Sequence, residues 1–90
     1  MSDEQRIPAF RRGVKFRFDT VRSTWSVLAP ERMFVPDEHA VEVLKLVDGA
    51  RTLGAITDDL AARFDAPREV IMPDVAVMLD DLSDKGVLSW

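Results

Sequence analysis

The chain has 90 residues and a net charge of −4, and its content of 47% hydrophobic and 31% charged residues is typical of one globular domain rather than of a disordered chain. The absence of cysteine excludes disulfides, thiolate zinc sites, iron–sulfur clusters and cysteine nucleophiles. The longest apolar run, Val75 to Leu79, is far shorter than the ~20 residues that span a bilayer, so we expect no membrane segment. We also expect a cytoplasmic protein without a cofactor.

The N-terminal part of the chain predicts a flexible tail followed by the first strand of a sheet. Residues 1–9 are mostly polar and are expected to form the tail, which leaves residues 10–90 as a single domain. From Val14 to Asp19, apolar and charged side chains alternate with a period of two. This alternation indicates a half-buried strand.

Two further strands are expected before the pattern changes. The second covers residues 23–29, and the third is a short strand over residues 31–35. Pro30 and Pro36 bound the third strand. Because proline has no amide hydrogen to donate to a neighbouring strand, we expect the third strand to lie at an edge of the sheet.

From residue 37 onward the apolar residues recur at helical spacing. Asp37 is a suitable N-cap for a first helix, which Asp48-Gly49 would stop. Thr52 can cap a second helix, whose apolar stripe comprises Leu53, Ile56, Leu60 and Phe64.

A third helix is expected from about Pro67 to Lys85-Gly86, with its core stripe at Ile71, Val75, Met78, Leu79 and Leu82. Pro73 falls inside this pattern and should kink the helix or delay its regular start. The last residues, 87–90, would form a short extended tail that folds back. Three antiparallel strands followed by a three-helix bundle give an α+β fold of the winged helix-turn-helix type.

No constellation of residues predicts a catalytic or metal site. His39 is the single histidine, so neither a histidine-paired triad nor a multi-histidine metal site can form. The carboxylate pairs at residues 58–59 and 80–81 are more simply solvated helix faces, because adjacent helical residues point about 100° apart. The four scattered glycines form no phosphate-binding loop. We therefore expect a protein that is not an enzyme.

Several short segments occur in an informative order and spacing, although each alone is a common turn or helix-end signal. They are Pro8 with Phe10 and Gly13-Val14; Asp19 with Arg22; Leu28-Ala-Pro-Glu-Arg32; Leu46-Val-Asp-Gly-Ala-Arg-Thr52; and Asp74-Val75 with Leu79, Leu82 and Lys85-Gly86. Together they make the chain similar to the PqqD family over about residues 8–88. One departure is Pro73, which stands directly before Asp74-Val75, where a helix-forming residue is expected.

The resemblance implies a peptide-binding module. PqqD-like domains are recognition elements for ribosomally made, post-translationally modified peptides, and they bind the leader of a precursor peptide. For this chain the resemblance implies PqqA, the precursor of pyrroloquinoline quinone, as the peptide. It also implies PqqE, a radical S-adenosylmethionine enzyme that joins a glutamate and a tyrosine of the precursor, as the partner that receives it.

In related elements the leader adds a strand to the third strand and packs against the third helix, which suits the edge position expected here. The amide hydrogen of Phe34, at the centre of that strand, would be a natural donor to such a peptide. Some residues of the third strand could equally belong to the core, since alternate strand residues point inward. Some residues of the third helix could equally be core residues or solvated surface residues. The expected groove residues are Arg32, Met33, Phe34, Val35, Val70, Asp74, Val77, Met78 and Asp81.

A cluster of six basic residues lies between Arg6 and Arg22, with Asp19 as the single acidic interruption from residue 5 onward. It is either a solvated strand face or a surface that docks the partner enzyme, in which case Arg11, Arg12 and Arg17 would contribute. An exposed edge strand could also pair with a second copy of the chain and give a homodimer.

The rival hypothesis is a winged-helix DNA-binding regulator, because that class shares the same order of elements. Its recognition helix would be the third helix, which between Arg68 and Lys85 carries five acidic residues against those two bases. Phosphates would repel a helix of that charge, so we expect no nucleic-acid partner.

Overall fold

The three-stranded antiparallel sheet and the three helices expected from the sequence are present in the computed structural model, which describes residues 3–90, and the predicted fold class is confirmed. A single 3₁₀ turn at Asp3–Gln5 comes first. The elements that follow are β1 (Ala9–Phe10), β2 (Lys15–Asp19), β3 (Thr24–Ala29), β4 (Arg32–Phe34), α1 (Glu38–Leu44), α2 (Leu53–Phe64), α3 (Arg68–Asp84) and β5 (Leu88–Ser89).

The main sheet has the strand order β2-β3-β4, so β2 and β4 each have one edge without a partner strand among residues 3–90. Directly opposed residues share a face of the sheet. The inner face carries Phe16, Phe18, Trp25, Val27 and Phe34. Its aromatic rings pack together, with centroids 4.7 Å apart for Phe16 and Trp25 and 5.5 Å apart for Phe18 and Trp25. These ring contacts join β2 to β3, while Phe16, Val27 and Phe34 contact the core.

Side-chain caps begin the first two helices at the predicted residues. The Asp37 carboxylate accepts a hydrogen bond from the Ala40 amide at 2.8 Å, and the Thr52 hydroxyl accepts one from the Ala55 amide at 3.1 Å. Helix α1 ends at Leu44, before the predicted stop, because the amides of Leu46 and Val47 bond to carbonyls three residues back and tighten the chain.

The turn after α1 is organised by Asp48. Its carboxylate accepts hydrogen bonds from the amides of Arg51 and Ala50, at 2.8 and 2.9 Å. Both bonds lower the pKa of Asp48 below its ordinary value of 3.8, and the bond from Arg51 has the larger effect. The predicted Asp48-Gly49 stop is thus an Asx turn in which the carboxylate takes the place of a backbone acceptor.

Helix α3 runs without interruption from Arg68 to Asp84 and contains Pro73 in its second turn. The proline neither ends the helix nor delays its start. The chain leaves α3 at Gly86, whose φ of +80° is a conformation that favours glycine. The helix end predicted at Lys85-Gly86 is therefore confirmed.

Both ends of the described chain meet in a second, two-stranded sheet. Strand β1 pairs with β5 in antiparallel register, Ala9 opposite Ser89 and Phe10 opposite Leu88. The guanidinium of Arg6 stacks 3.8 Å from the centroid of the Trp90 ring and donates hydrogen bonds to the Trp90 backbone oxygen. The predicted fold-back of residues 87–90 is present, and its partner strand was not foreseen.

Residues 3–9, expected as part of a flexible tail, lie against the helices in the structure, while residues 1–2 of that tail lie outside the described residues. The Arg68 guanidinium binds the Glu4 carboxylate at 2.6 Å and also the Asp58 carboxylate. These partners, Glu4 first, raise the pKa of Arg68 above its ordinary value. The contacts join the N-terminal segment to α2 and α3. Whether the tail is mobile and whether residues 10–90 form a domain by themselves stay predictions.

The core lies between the sheet and the three helices. Leu44, Leu53, Ile56, Leu79 and Leu88 are almost completely buried there. Burial of each such side chain stabilises the fold by roughly 1.5–3 kcal/mol. These residues come from α1, α2, α3 and β5, so the core fixes the rotation of each helix and the position of the groove described below.

Candidate functional site

An open groove of about 490 Å³ lies between α1 and α3, and the C-terminal half of α2 contributes to its lining. Apolar side chains from all three helices form most of its surface. They are Val43 from α1, Leu60 and Phe64 from α2, and Ile71, Val75 and Met78 from α3. An apolar concave surface of this kind can hold a side chain or a short segment of another molecule.

Helix α3 divides the residues predicted from it into two sets. Asp74 and Met78 line the groove, beside Ile71 and the buried Val75. Val70, Val77 and Asp81 lie on the adjacent outer face of the helix, because helical residues seven and eleven apart return to nearly the same direction. Val70 is 59% exposed and Val77 is 68% exposed, so neither is a core residue. The groove and this outer face form one continuous side of α3.

Strand β4 presents a free edge to solvent. Arg32 faces Ala29 across the two-residue turn at residues 30–31, so these two residues exchange backbone hydrogen bonds. Pairing alternates along an antiparallel ladder, so Phe34 bonds with Val27, and the amide and carbonyl of Met33 point away from β3. The expectation that the Phe34 amide is free for a peptide is therefore wrong, because β3 already uses it.

The side chains of the β4 segment also separate. Phe34 packs against the core on the inner face, where the Arg32 guanidinium lies 5.6 Å from the centroid of its ring. Met33 and Val35 are 51% and 60% exposed. Of the two alternatives left open by the sequence, Phe34 is the core residue, and Met33 and Val35 face solvent.

A second cavity of about 500 Å³ adjoins the groove on the other side of the first turn of α1. Trp25 and Pro36 line it, and it shares His39, Glu42 and Phe64 with the groove. Phe64 is 56% exposed although the sequence placed it in the apolar stripe of α2. Phe64 is the last residue of α2 and extends beyond the core. The position of a large aromatic residue at a helix end was the sequence feature that could have identified it as part of the site.

The predicted enzyme-docking residues are not equivalent in the structure. Arg11 donates from its guanidinium to the Leu88 carbonyl at 3.0 Å and is held against β5. Arg12 is exposed in the turn before β2. Arg17 lies on the outer face of the sheet, and Lys15 lies on the same face, in one row with Leu28 and Met33. The outer face thus combines basic and exposed apolar side chains.

The charges of the helical side have the opposite sign. Exposed carboxylates follow one another along α3, and two of them have local partners. Asp81 pairs with Lys85 at 2.8 Å, and Asp80 accepts a hydrogen bond from the Trp90 indole at 3.1 Å. Within residues 3–90 no group of three or more histidine, aspartate or glutamate side chains could hold a metal ion. No helix in this part of the chain is long and apolar enough to cross a membrane.

Comparison with known proteins gives consistent matches. The family model described as coenzyme PQQ synthesis protein D (PqqD) matches residues 24–88. The PqqA binding protein of Bradyrhizobium diazoefficiens is 51% identical over 82 residues, which cover 91% of this chain and 80% of that protein. The bifunctional coenzyme PQQ synthesis protein C/D of Methylorubrum extorquens is 47% identical over 82 residues, which cover 91% of this chain and 22% of that longer protein.

Two solved structures share the fold. The solution structure of the PqqD truncation of Methylobacterium extorquens PqqCD, described as a functional and stand-alone RiPP recognition element, superposes with a TM-score of 0.77 and 40% identity, over 99% of this chain and all of the other. The crystal structure of PqqD from Xanthomonas campestris gives a TM-score of 0.58 and 36% identity over 94% of each chain.

Proposed function

This chain belongs to the PqqD family, and on that premise we propose that it binds the leader of the precursor peptide PqqA and presents it to the enzyme PqqE. The family is a peptide-binding recognition element of pyrroloquinoline quinone biosynthesis and is not a catalyst. The observation that carries the proposal is the unpaired edge of β4, which is followed within three residues by Asp37, the first residue that lines the apolar groove. We expect the protein to work in the cytoplasm, where a ribosomal precursor is made.

We propose that the leader binds by adding a strand to β4. The free edge offers the amide and carbonyl of Met33, which an extended peptide can satisfy with two hydrogen bonds. Strand β4 is short, so backbone pairing alone supplies limited affinity. Side-chain contacts must supply the rest.

The groove between α1 and α3 supports that second contribution. Alternate side chains of an added strand point to opposite faces of the sheet. Those on the inner face would reach toward the helices, where Met78, Phe64 and Ile71 offer apolar surface. Those on the outer face would lie beside Met33 and Val35. The exposed residues Val70 and Val77 extend the apolar side of α3 that the peptide can cover.

Presentation to PqqE requires a second surface that the bound peptide leaves open. We propose the β2–β3 part of the outer face, where Lys15 and Arg17 lie beside the partly exposed Leu28 and are separated from the β4 edge by β3. Apolar residues beside unpaired charges are a common composition of protein–protein interfaces. Arg12 lies in the turn before β2 and is exposed, so it is a further candidate. Arg11 is held by the Leu88 carbonyl and is a weaker candidate.

Titration of the isotope-labelled protein with a synthetic PqqA peptide tests the proposal through backbone amide shifts. Strand addition predicts the largest changes at residues 32–35 and at the α3 residues 70–81, with smaller changes at His39 and Phe64. Changes confined to β2 and to the turn at residues 20–23 would contradict the proposed site. Changes that occur without peptide when the protein is concentrated would indicate that a second copy pairs with β4, which is the homodimer that the edge also allows.

The DNA-binding alternative has less support. The exposed side of α3 that would enter a major groove carries carboxylates and is therefore repelled by phosphates. Retention of the protein on duplex DNA, weakening as salt rises, would favour that alternative over peptide binding.

A further inference from the structure

The groove between α1 and α3 is apolar at its base and acidic at its rim. Its acidic lining residues are Asp37, Glu42 and Asp74, and among residues 3–90 no lysine or arginine lines it. The exposed His39 also belongs to the lining. An occupant with acidic side chains would therefore be repelled. The rim favours a positive charge in the bound segment.

The three carboxylates differ in how far neighbouring groups already satisfy them. Glu42 pairs with Arg63 at 3.2 Å and with Lys45 at 3.6 Å. Asp37 accepts the Ala40 amide and caps α1. Asp74 has neither an ion pair nor a side-chain hydrogen bond with any other residue from 3 to 90, and it is exposed at the rim between Ile71 and Met78. It is the groove carboxylate that a ligand cation can pair with at no cost to an existing contact.

We propose that the groove selects a leader segment in which an apolar side chain is flanked by a lysine or arginine, with the apolar side chain placed against Met78 and Phe64 and the cation paired with Asp74. The inference rests on the proposed function and adds the chemistry of the residue pair that the site recognises. The apolar wall excludes water from one side of the pair, which lowers the effective dielectric and strengthens the attraction. The pairing thus supplies specificity and fixes the position of the leader along the groove.

The test compares the affinity of a synthetic PqqA leader for the unmodified protein and for Asp74→Lys. The matched control is Asp84→Lys, which makes the same change in net charge at the exposed end of α3, outside the groove. We expect Asp74→Lys to weaken binding by about tenfold at low salt and less at high salt, and Asp84→Lys to change it by less than about twofold. Both variants should unfold at nearly the wild-type temperature, because both positions are exposed.

A charge exchange makes the result specific. Each lysine or arginine of the leader is replaced in turn by glutamate, and one such peptide should regain affinity for Asp74→Lys while losing it for the unmodified protein. Equal affinities of Asp74→Lys and Asp84→Lys would overturn the inference while leaving peptide binding intact. So would tight binding of a leader whose lysines and arginines are all glutamine. Absence of binding by the unmodified protein would overturn the proposed function and this inference with it.

Discussion

Met33 lies directly opposite Leu28 in the β3–β4 ladder, at a position where the two residues exchange no backbone hydrogen bonds. The amide and carbonyl of Met33 therefore point to the free edge, whereas those of Phe34, one residue later, bond with Val27. This one-residue alternation decides which backbone groups a ligand strand can use.

Proline at position 33 should remove the free-edge donor and leave the β3–β4 pairing in place. We expect Met33→Pro to bind PqqA about 5- to 10-fold more weakly than Met33→Ala, the loss of about one hydrogen bond, with Met33→Ala as the control for the lost side chain. Isothermal titration calorimetry on samples with native circular dichroism measures the difference. Phe34→Pro should instead destabilise the fold, because it removes a bond within the sheet. Equal affinity of the two position-33 variants would refute strand addition through this amide.

The exposed Phe64 should contribute to ligand binding more than to folding. At 56% exposure its side chain stabilises the fold little, yet it lines both the groove and the adjoining cavity. We expect Phe64→Ser to lower PqqA affinity by about 5- to 30-fold with a small change in melting temperature. Val21→Ser is the control and should bind normally, because Val21 is 92% exposed in the turn between β2 and β3. A large drop in melting temperature for Phe64→Ser would show that Phe64 belongs to the core.

The β2–β3 part of the outer face should dock PqqE without contacting the peptide. The double variant Lys15→Glu/Arg17→Glu is expected to weaken the complex with PqqE by about tenfold at low salt while PqqA affinity changes less than about twofold. The control Arg51→Glu/Lys85→Glu makes the same change in net charge on the helical side. Gel filtration or calorimetry of the complex provides the readout. If both double variants dock equally, the charge of the outer face has no specific role.

Thr57 offers a test of the core that is independent of any ligand. The residue is fully buried in α2, and its hydroxyl has no hydrogen-bond partner within residues 3–90. Valine keeps the branched shape and removes the unsatisfied oxygen. We expect Thr57→Val to raise the free energy of unfolding by about 1 kcal/mol, measured by urea titration. A loss of stability would mean that the hydroxyl is satisfied in solution, for example by a bound water.

The turn at Asp48 predicts a specific dependence of stability on pH. Hydrogen bonds from Arg51 and Ala50 hold the pKa of this carboxyl below its ordinary value of 3.8, so the ionised form stabilises the folded state. That contribution is fully present above the ordinary value and is lost as pH falls through the lowered pKa of the folded state. Asp48→Asn should therefore be less stable than the unmodified protein near neutral pH, and the difference should shrink below about pH 4. Urea unfolding of both proteins across this range measures the difference, and a gap that is independent of pH would contradict the assignment.

The order and bounds of most elements could be predicted from local patterns. The alternation before Asp19, the caps at Asp37 and Thr52 and the stop at Gly86 act over a few residues, so they can be recognised in the sequence without knowledge of the fold. The same holds for the edge position of β4, because its flanking prolines limit pairing in any fold. For Pro73 the sequence left a kink or a delayed helix start open, and the delayed start is wrong because α3 begins at Arg68.

The sequence by itself determined the fold class and the family, and it predicted a site formed by the third strand and the third helix. The tertiary structure decided that Met33 rather than Phe34 turns its amide outward, that Asp74 and Met78 line the groove while Val77 lies beside it, and that Phe64 is exposed. It also paired β1 with β5, whose residues lie about 80 positions apart. The physical reason is common to all of these. Strand register and helix rotation depend on contacts between segments distant in sequence. A local pattern of apolar residues indicates whether a segment is a strand or a helix, but it does not indicate which other segment packs against it.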